Sequence, residues 1–169
     1  MKKIVFLTVI ALLVVCGKSV KADEILELKN RIVEVQNRSD LGFRNFVPCS
    51  QILTYASYVT LDKPEVKQGG EILFYFEPNN YYTHRKGGRY EVWLSEDMFV
   101  LTGDGEVLLE QKEVATHHYF TETPIIDLYF TNSISVGQLP PGKYVFRAVL
   151  NDKLKGRTKT KEFSFYVVK

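Results

Sequence analysis

A two-residue alternation that recurs over the C-terminal two thirds of the chain sets the strictest limit on its fold. Tyr144, Phe146, Ala148 and Leu150 alternate with Val145, Arg147 and Val149, and Phe163, Phe165 and Val167 share one parity in the segment that follows. Ile72, Phe74 and Phe76 oppose Leu73 and Tyr75, and Tyr90, Val92 and Leu94 oppose Glu91 and Trp93. Successive side chains leave a strand on opposite faces, whereas a helix repeats every 3.6 residues, so this period predicts half-buried strands. Further strands are predicted at Ile52 to Leu61 and at Ile125 to Thr131, and on both sides of the Gly103-Asp104-Gly105 turn. Turn residues separate them at Asp62-Lys63-Pro64, Gln68-Gly69-Gly70, Pro78-Asn79-Asn80, Leu139 to Lys143 and Asn151 to Gly156. The pattern predicts an all-β fold, an antiparallel β-sandwich of seven to eight strands over residues 51–169.

The chain upstream of residue 51 reads differently. Ile25, Leu28, Ile32 and Val35 recur at three- and four-residue steps, which suits an amphipathic helix, although the alternation around Ile32 also permits a short strand. Asn37 to Pro48 is rich in turn formers, with Phe43 and Phe46 available to pin a loop onto the body. Residues 23–50 therefore read as an N-terminal arm and connector. Residues 1–22 have the layout of a secretory signal: Lys2 and Lys3, an apolar run from Ile4 to Val15, and Val20-Lys21-Ala22 for cleavage. The run is too short for a permanent span, so the expected location is the periplasm or the exterior. Cys16 opens the alternative of a lipid anchor, but Val15 stands where a lipoprotein signal wants a small residue.

Removing that leader changes the charge argument. Four of the 22 Lys and Arg residues lie in it and none of the 20 acids does, leaving 18 basic residues against 20 acidic ones in 147 residues. A mature charge near −2 gives no global field for steering a polyanion, and no nucleic-acid partner is expected. Cys49 alone remains, and one thiol forms no internal bridge; it reads as a buried inert cysteine, with an intermolecular disulfide or a reactive thiol as the alternative.

Two segments bring a resemblance into view. Pro64-Glu-Val-Lys-Gln-Gly69 leading into Glu71-Ile-Leu-Phe-Tyr-Phe, and Leu139-Pro-Pro-Gly-Lys-Tyr144 leading into an alternating strand and closing hairpin, resemble immunoglobulin-like or fibronectin type III-like domains of bacterial envelopes. The resemblance covers roughly Tyr55 to Val168 and implies a fold only, since this architecture hosts many functions. It implies that Tyr144 is a corner tyrosine and that Trp93 is the core tryptophan. The paired cysteines of true immunoglobulin domains are absent.

No reactive motif stands out. His84, His117 and His118 lack metal-ligand spacing, and neighbours on a strand point to opposite faces. No serine elbow or phosphate loop is present. Asp127 sits inside an apolar run and is expected to bond loop amides. An enzyme would require Asp127, His117 and a nearby glutamate to converge.

Two surface features suit binding. The loop Tyr81, Tyr82, His84, Arg85, Lys86 with Arg89 mixes aromatic area and positive charge, and reads either as a partner surface or as an ordinary loop at the core edge. The hairpin bearing Lys153, Lys155, Arg157 and Lys159 reads as a projecting basic ribbon or as a defence of an edge strand against aggregation. The expectation is an exported, non-catalytic binding or accessory module of the bacterial cell envelope, with a protein partner and no metal or cofactor. The alternative is a carrier of a small apolar or sugar-like ligand in a cleft lined by Tyr81, Tyr82, Trp93 and Phe99.

Overall fold

The computed structural model describes residues 20–137 and 139–169, with side chains from residue 24 onward. The expected leader, including Cys16, lies outside these residues except for its last three positions. One helix precedes ten strands: α1 (Val20–Arg38), β1 (Gly42–Thr54), β2 (Ser57–Thr60), β3 (Glu65–Lys67), β4 (Glu71–Asn79), β5 (His84–Lys86), β6 (Arg89–Thr102), β7 (Val107–Thr121), β8 (Phe130–Ser135), β9 (Gly142–Asp152) and β10 (Arg157–Val168). The all-β expectation holds. The smaller sheet runs β2-β1-β4-β8; the larger runs β3-β10-β9-β6-β5, with β7 on the open side of β6, and curls as a half-barrel. Every pairing is antiparallel except β3 with β10.

The inner faces of both sheets meet in one core. Phe46 of β1 and Phe74 of β4 stack on Phe146 of β9 at centroid distances of 5.5 and 4.3 Å, and Phe76 stacks on Phe130 of β8 at 5.1 Å. Phenylalanine fills such a gap because each ring removes a large apolar area from water and offset packing adds to that gain. The predicted parities hold here: Ile72, Phe74, Phe76, Tyr90, Val92, Leu94, Phe146, Ala148 and Leu150 are all buried. The Tyr144 hydroxyl donates to Pro140 O at 2.7 Å, tying the strand start to its own turn. Tyr144→Phe is expected to lower unfolding stability by about 1 kcal/mol in a urea titration, with the slope unchanged.

Several boundaries differ from the reading of the sequence. The presumed connector is β1, an interior strand between β2 and β4, and a division at residue 50 cuts through it. Its turn formers serve a break in register between Arg44 and Val47, where Asn45 adopts φ 53°. The run Ile52 to Leu61 is a hairpin folded at Tyr55-Ala56, with Ala56 at φ 53°. Residues 124–129 belong to no ladder; side chains bond two of their carbonyls, Tyr81 donating to Ile125 O and His117 to Tyr129 O.

The amphipathic pattern at the N-terminus forms helix α1 rather than a short strand. It docks through polar side chains: Asn37 exchanges two hydrogen bonds with the Thr83 backbone at 2.8 and 2.9 Å, and Asn30 accepts from the Tyr90 hydroxyl. Val33 is buried, whereas Ile25, Leu28, Ile32 and Val35, the apolar stripe of the predicted amphipathic helix, are 43 to 60% exposed.

Candidate functional site

The β6–β7 ladder carries the arrangement of most interest. Two bulges interrupt it, between Glu96 and Met98 and between Val100 and Leu101, and they set Trp93 opposite His118 and Glu91 opposite Phe120. These four residues share the outer face of the larger sheet. The Trp93 indole is 38% exposed and lies almost parallel to the His118 imidazole, 4.4 Å away at 12°; Phe120, 61% exposed, follows at 5.0 Å. Glu91 sits 2.9 Å from His118 Nε2 and holds that ring in place. Trp93 is therefore not a core tryptophan. Its own strand parity sends it outward, because Val92 and Leu94 occupy the inward positions.

β5 continues this surface through His84, which pairs with Glu91, and Lys86, which pairs with Arg89. Together with Tyr90, Glu91 and Phe120 these three form a pocket of about 260 Å³. Three of the predicted binding residues thus meet, beside aromatic rings that sequence reasoning placed elsewhere or passed over. Arg85 turns aside, its guanidinium 5.7 Å from the Tyr90 ring. α1 is anchored to the same end of the molecule, at Thr83 and Tyr90.

The remaining predicted residues serve the fold or stand apart. Tyr81 is fully buried in the core, its hydroxyl bonded to Ile125 O. Tyr82 donates its backbone N–H to Asp152 and lies under the Lys155 ammonium at 4.8 Å. Arg157 points inward. Its guanidinium bonds Ser39 O, Asn80 O and the fully buried Asp152 carboxylate, the last at 2.7 Å. Lys153 pairs with Glu113 across the sheet, and Lys159 is exposed on a regular ladder, so the hairpin is neither bulged nor a free cationic ribbon. The proposed cleft does not form either, because Tyr81 is internal and Phe99 is covered by Lys112 and Arg147.

Besides Asp152, two carboxylates lie inside the protein, Glu77 and Glu96. Glu77, on the outer face of β4, is buried, and burial alone would raise its pKa. Asn45, Tyr75 and Arg44 donate to it at 3.0, 2.9 and 2.6 Å and bring it below the usual carboxylate value. Glu96 of β6 follows Leu94 into the core between the sheets. Burial pushes its pKa up to about 8; Asn132 of β8 donates to one oxygen at 2.8 Å, and the other has no partner among the described residues. Cys49 is buried and its thiol pKa is raised by desolvation, the environment of an unreactive thiol.

Asp127 is exposed and accepts from the Tyr55 hydroxyl at 2.8 Å, not from loop amides. It shares a pocket with His117, whose two nitrogens bond Tyr119 Oη and Tyr129 O, so the convergence of His117, Asp127 and a glutamate is not assembled. Among the described residues no group of three or more His, Cys, Asp or Glu is placed to hold a metal ion.

No protein-family model and no curated protein sequence matches the chain. Solved structures that overlap it include the alkylpurine DNA glycosylase AlkC of Pseudomonas fluorescens bound to DNA with an abasic-site analogue, at 7% identity and a TM-score of 0.44, over 88% of this chain and 43% of that one. Another is a family 123 glycoside hydrolase of Clostridium perfringens, at 10% identity and a TM-score of 0.41, over 77% of this chain and 27% of that one. The chain thus spans less than half of either protein, and overlaps this loose carry no statement about fold or activity.

Proposed function

We propose that the protein is an exported, non-catalytic accessory module of the bacterial cell envelope, built as an immunoglobulin-like sandwich, that binds a protein partner. The observation that carries the binding role is α1: a helix held to the body by Asn30 and Asn37 presents Ile25, Leu28, Ile32 and Val35 to solvent. A helix that docked for stability alone would bury that stripe and expose its asparagines. An apolar stripe at these spacings is what a partner groove or a partner helix receives. The Trp93–His118–Phe120 row, rimmed by His84, Lys86 and Arg89, supplies a second contact with the ring and cation content of binding surfaces.

The test is affinity capture from crosslinked envelope fractions with the mature protein as bait. Leu28→Glu with Ile32→Glu is expected to lose the captured partner, and Trp93→Ala with Phe120→Ala to weaken it by about tenfold or more. All four positions are exposed, so thermal stability should change little in either variant. Capture by wild type no greater than background, or equal capture by the α1 variant, would remove the proposal.

A further inference from the structure

A separate pocket of about 370 Å³ opens at the seam between the sheets, where β7 passes the segment leading into β8. That volume suits a small molecule. Tyr55, His117, Tyr119, Asp127, Tyr129 and Phe130 contribute to its wall. His117 and His118 leave β7 on opposite faces, so this pocket is distinct from the Trp93–His118–Phe120 row.

The hydrogen bonds fix what the wall offers a visitor. Tyr129 O is a carbonyl and only accepts, so His117 Nε2 carries the proton of their 2.9 Å bond. In the neutral ring Nδ1 then accepts from the Tyr119 hydroxyl, also at 2.9 Å. The Tyr55 hydroxyl donates to Asp127 Oδ1 and accepts from Arg44 Nη2. The donors of His117, Tyr119 and Tyr55 are therefore all spent within the wall. What remains from these groups is acceptor lone pairs, Asp127 Oδ2 (which takes no hydrogen bond among the described residues), and the rings of Tyr55, Tyr119 and Tyr129, since Phe130 is buried between Phe76 and His117.

The charge has the same sense. No lysine or arginine lines the pocket, and the nearby Arg44 is neutralised by Glu77 at 2.6 Å, leaving the Asp127 carboxylate as the uncompensated charge. Aromatic faces attract cations through their quadrupole, most strongly where water is partly excluded. A phosphate or carboxylate ligand would meet repulsion from Asp127 and find none of those donors free. We infer that the seam pocket is a binding site for an organic ammonium group, held by the Asp127 carboxylate and the rings of Tyr55, Tyr119 and Tyr129.

Choline and its neutral isostere 3,3-dimethylbutan-1-ol separate charge from shape, and methyl glucoside represents neutral polyols. Titrated into the mature protein at neutral pH and followed by aromatic NMR, choline should shift the Tyr55, Tyr119 and His117 ring signals and bind about tenfold more tightly than the isostere. Asp127→Asn, a near-isosteric change at an exposed side chain, should remove most of that preference while leaving binding of the isostere unchanged. Equal affinity for choline and the isostere, a preference for the glucoside, or no ring shift up to tens of millimolar choline would each overturn the assignment. None of these outcomes bears on the α1 and Trp93 surfaces.

Discussion

Raising the pH from 5 to 9 should cost the wild-type protein on the order of a few kcal/mol of unfolding free energy, and Glu96→Gln should abolish most of that slope. Glu96 follows Tyr90, Val92 and Leu94 into the core and is fully buried, with a single donor, Asn132, on one oxygen and none on the other. Desolvation there disfavours the anion and moves its pKa from 4.5 to about 8. A group whose folded pKa exceeds its unfolded value binds its proton more tightly in the native state. Its stabilising contribution is complete below pH 4.5 and is lost as the pH climbs towards 8. Urea unfolding curves at intervals across that window provide the measurement. A wild-type profile as flat as that of the glutamine variant would show that Glu96 ionises without penalty. Glu77 has the opposite sign: its lowered pKa contributes stability above the ordinary carboxylate range that is lost on acidification. Glu96 and Glu77 therefore limit the protein from opposite ends of the pH scale.

Arg157→Met should destabilise the fold by about 3 kcal/mol, while Lys159→Met, two residues along the same strand, should stay within about 0.5 kcal/mol of wild type. Arg157 closes three connections at once, to Ser39 O after α1, to Asn80 O after β4, and to the buried Asp152 carboxylate. Removing one partner of a buried pair leaves an uncompensated charge in low dielectric, which costs more than the pair itself contributes. Asp152 keeps the N–H groups of Tyr82 and Lys155, so the cost stays at the lower end of the range for buried pairs. Lys159 is exposed and has no comparable partner. Chemical denaturation of the two variants provides the comparison, and equal stabilities would place Arg157 back among the surface cations.

Arg157 shows how composition and position diverge. From the sequence the hairpin is a row of cations, and nothing local separates Arg157 from Lys159. The difference comes from Asp152 opposite it on β9 and from two carbonyls 118 and 77 residues away. Trp93 teaches the converse. Its strand parity, opposite to Val92 and Leu94, already sent it outward, and only the likeness to immunoglobulin-like domains placed it in the core. The local rule prevailed because one residue of slip would have exchanged the whole buried face of β6 for its solvent face. The same parity carried one step further places Glu96 inside, so that acid was available to sequence reasoning as well.

What the sequence decided by itself was the strand character, the inward parity of the aromatic residues and the turns at Gly69, Gly103 to Gly105, and Pro140 to Gly142. These follow from period-two burial and backbone sterics, which act over a few residues. The partner of each strand, and hence the composition of any surface, depended on tertiary structure. Extending the β6–β7 ladder from its first pair, Leu101 with Val107, would set Trp93 opposite Ala115; two bulges move it to His118 and assemble the aromatic row. β1 passed for a connector because its Asn45 and Pro48 are turn formers; here Asn45 accommodates a break in register and Pro48 takes a regular place in the ladder. The outward stripe of α1 was equally beyond reach, since periodicity identifies an apolar face but not what covers it. Two asparagine anchors on the opposite side determined that.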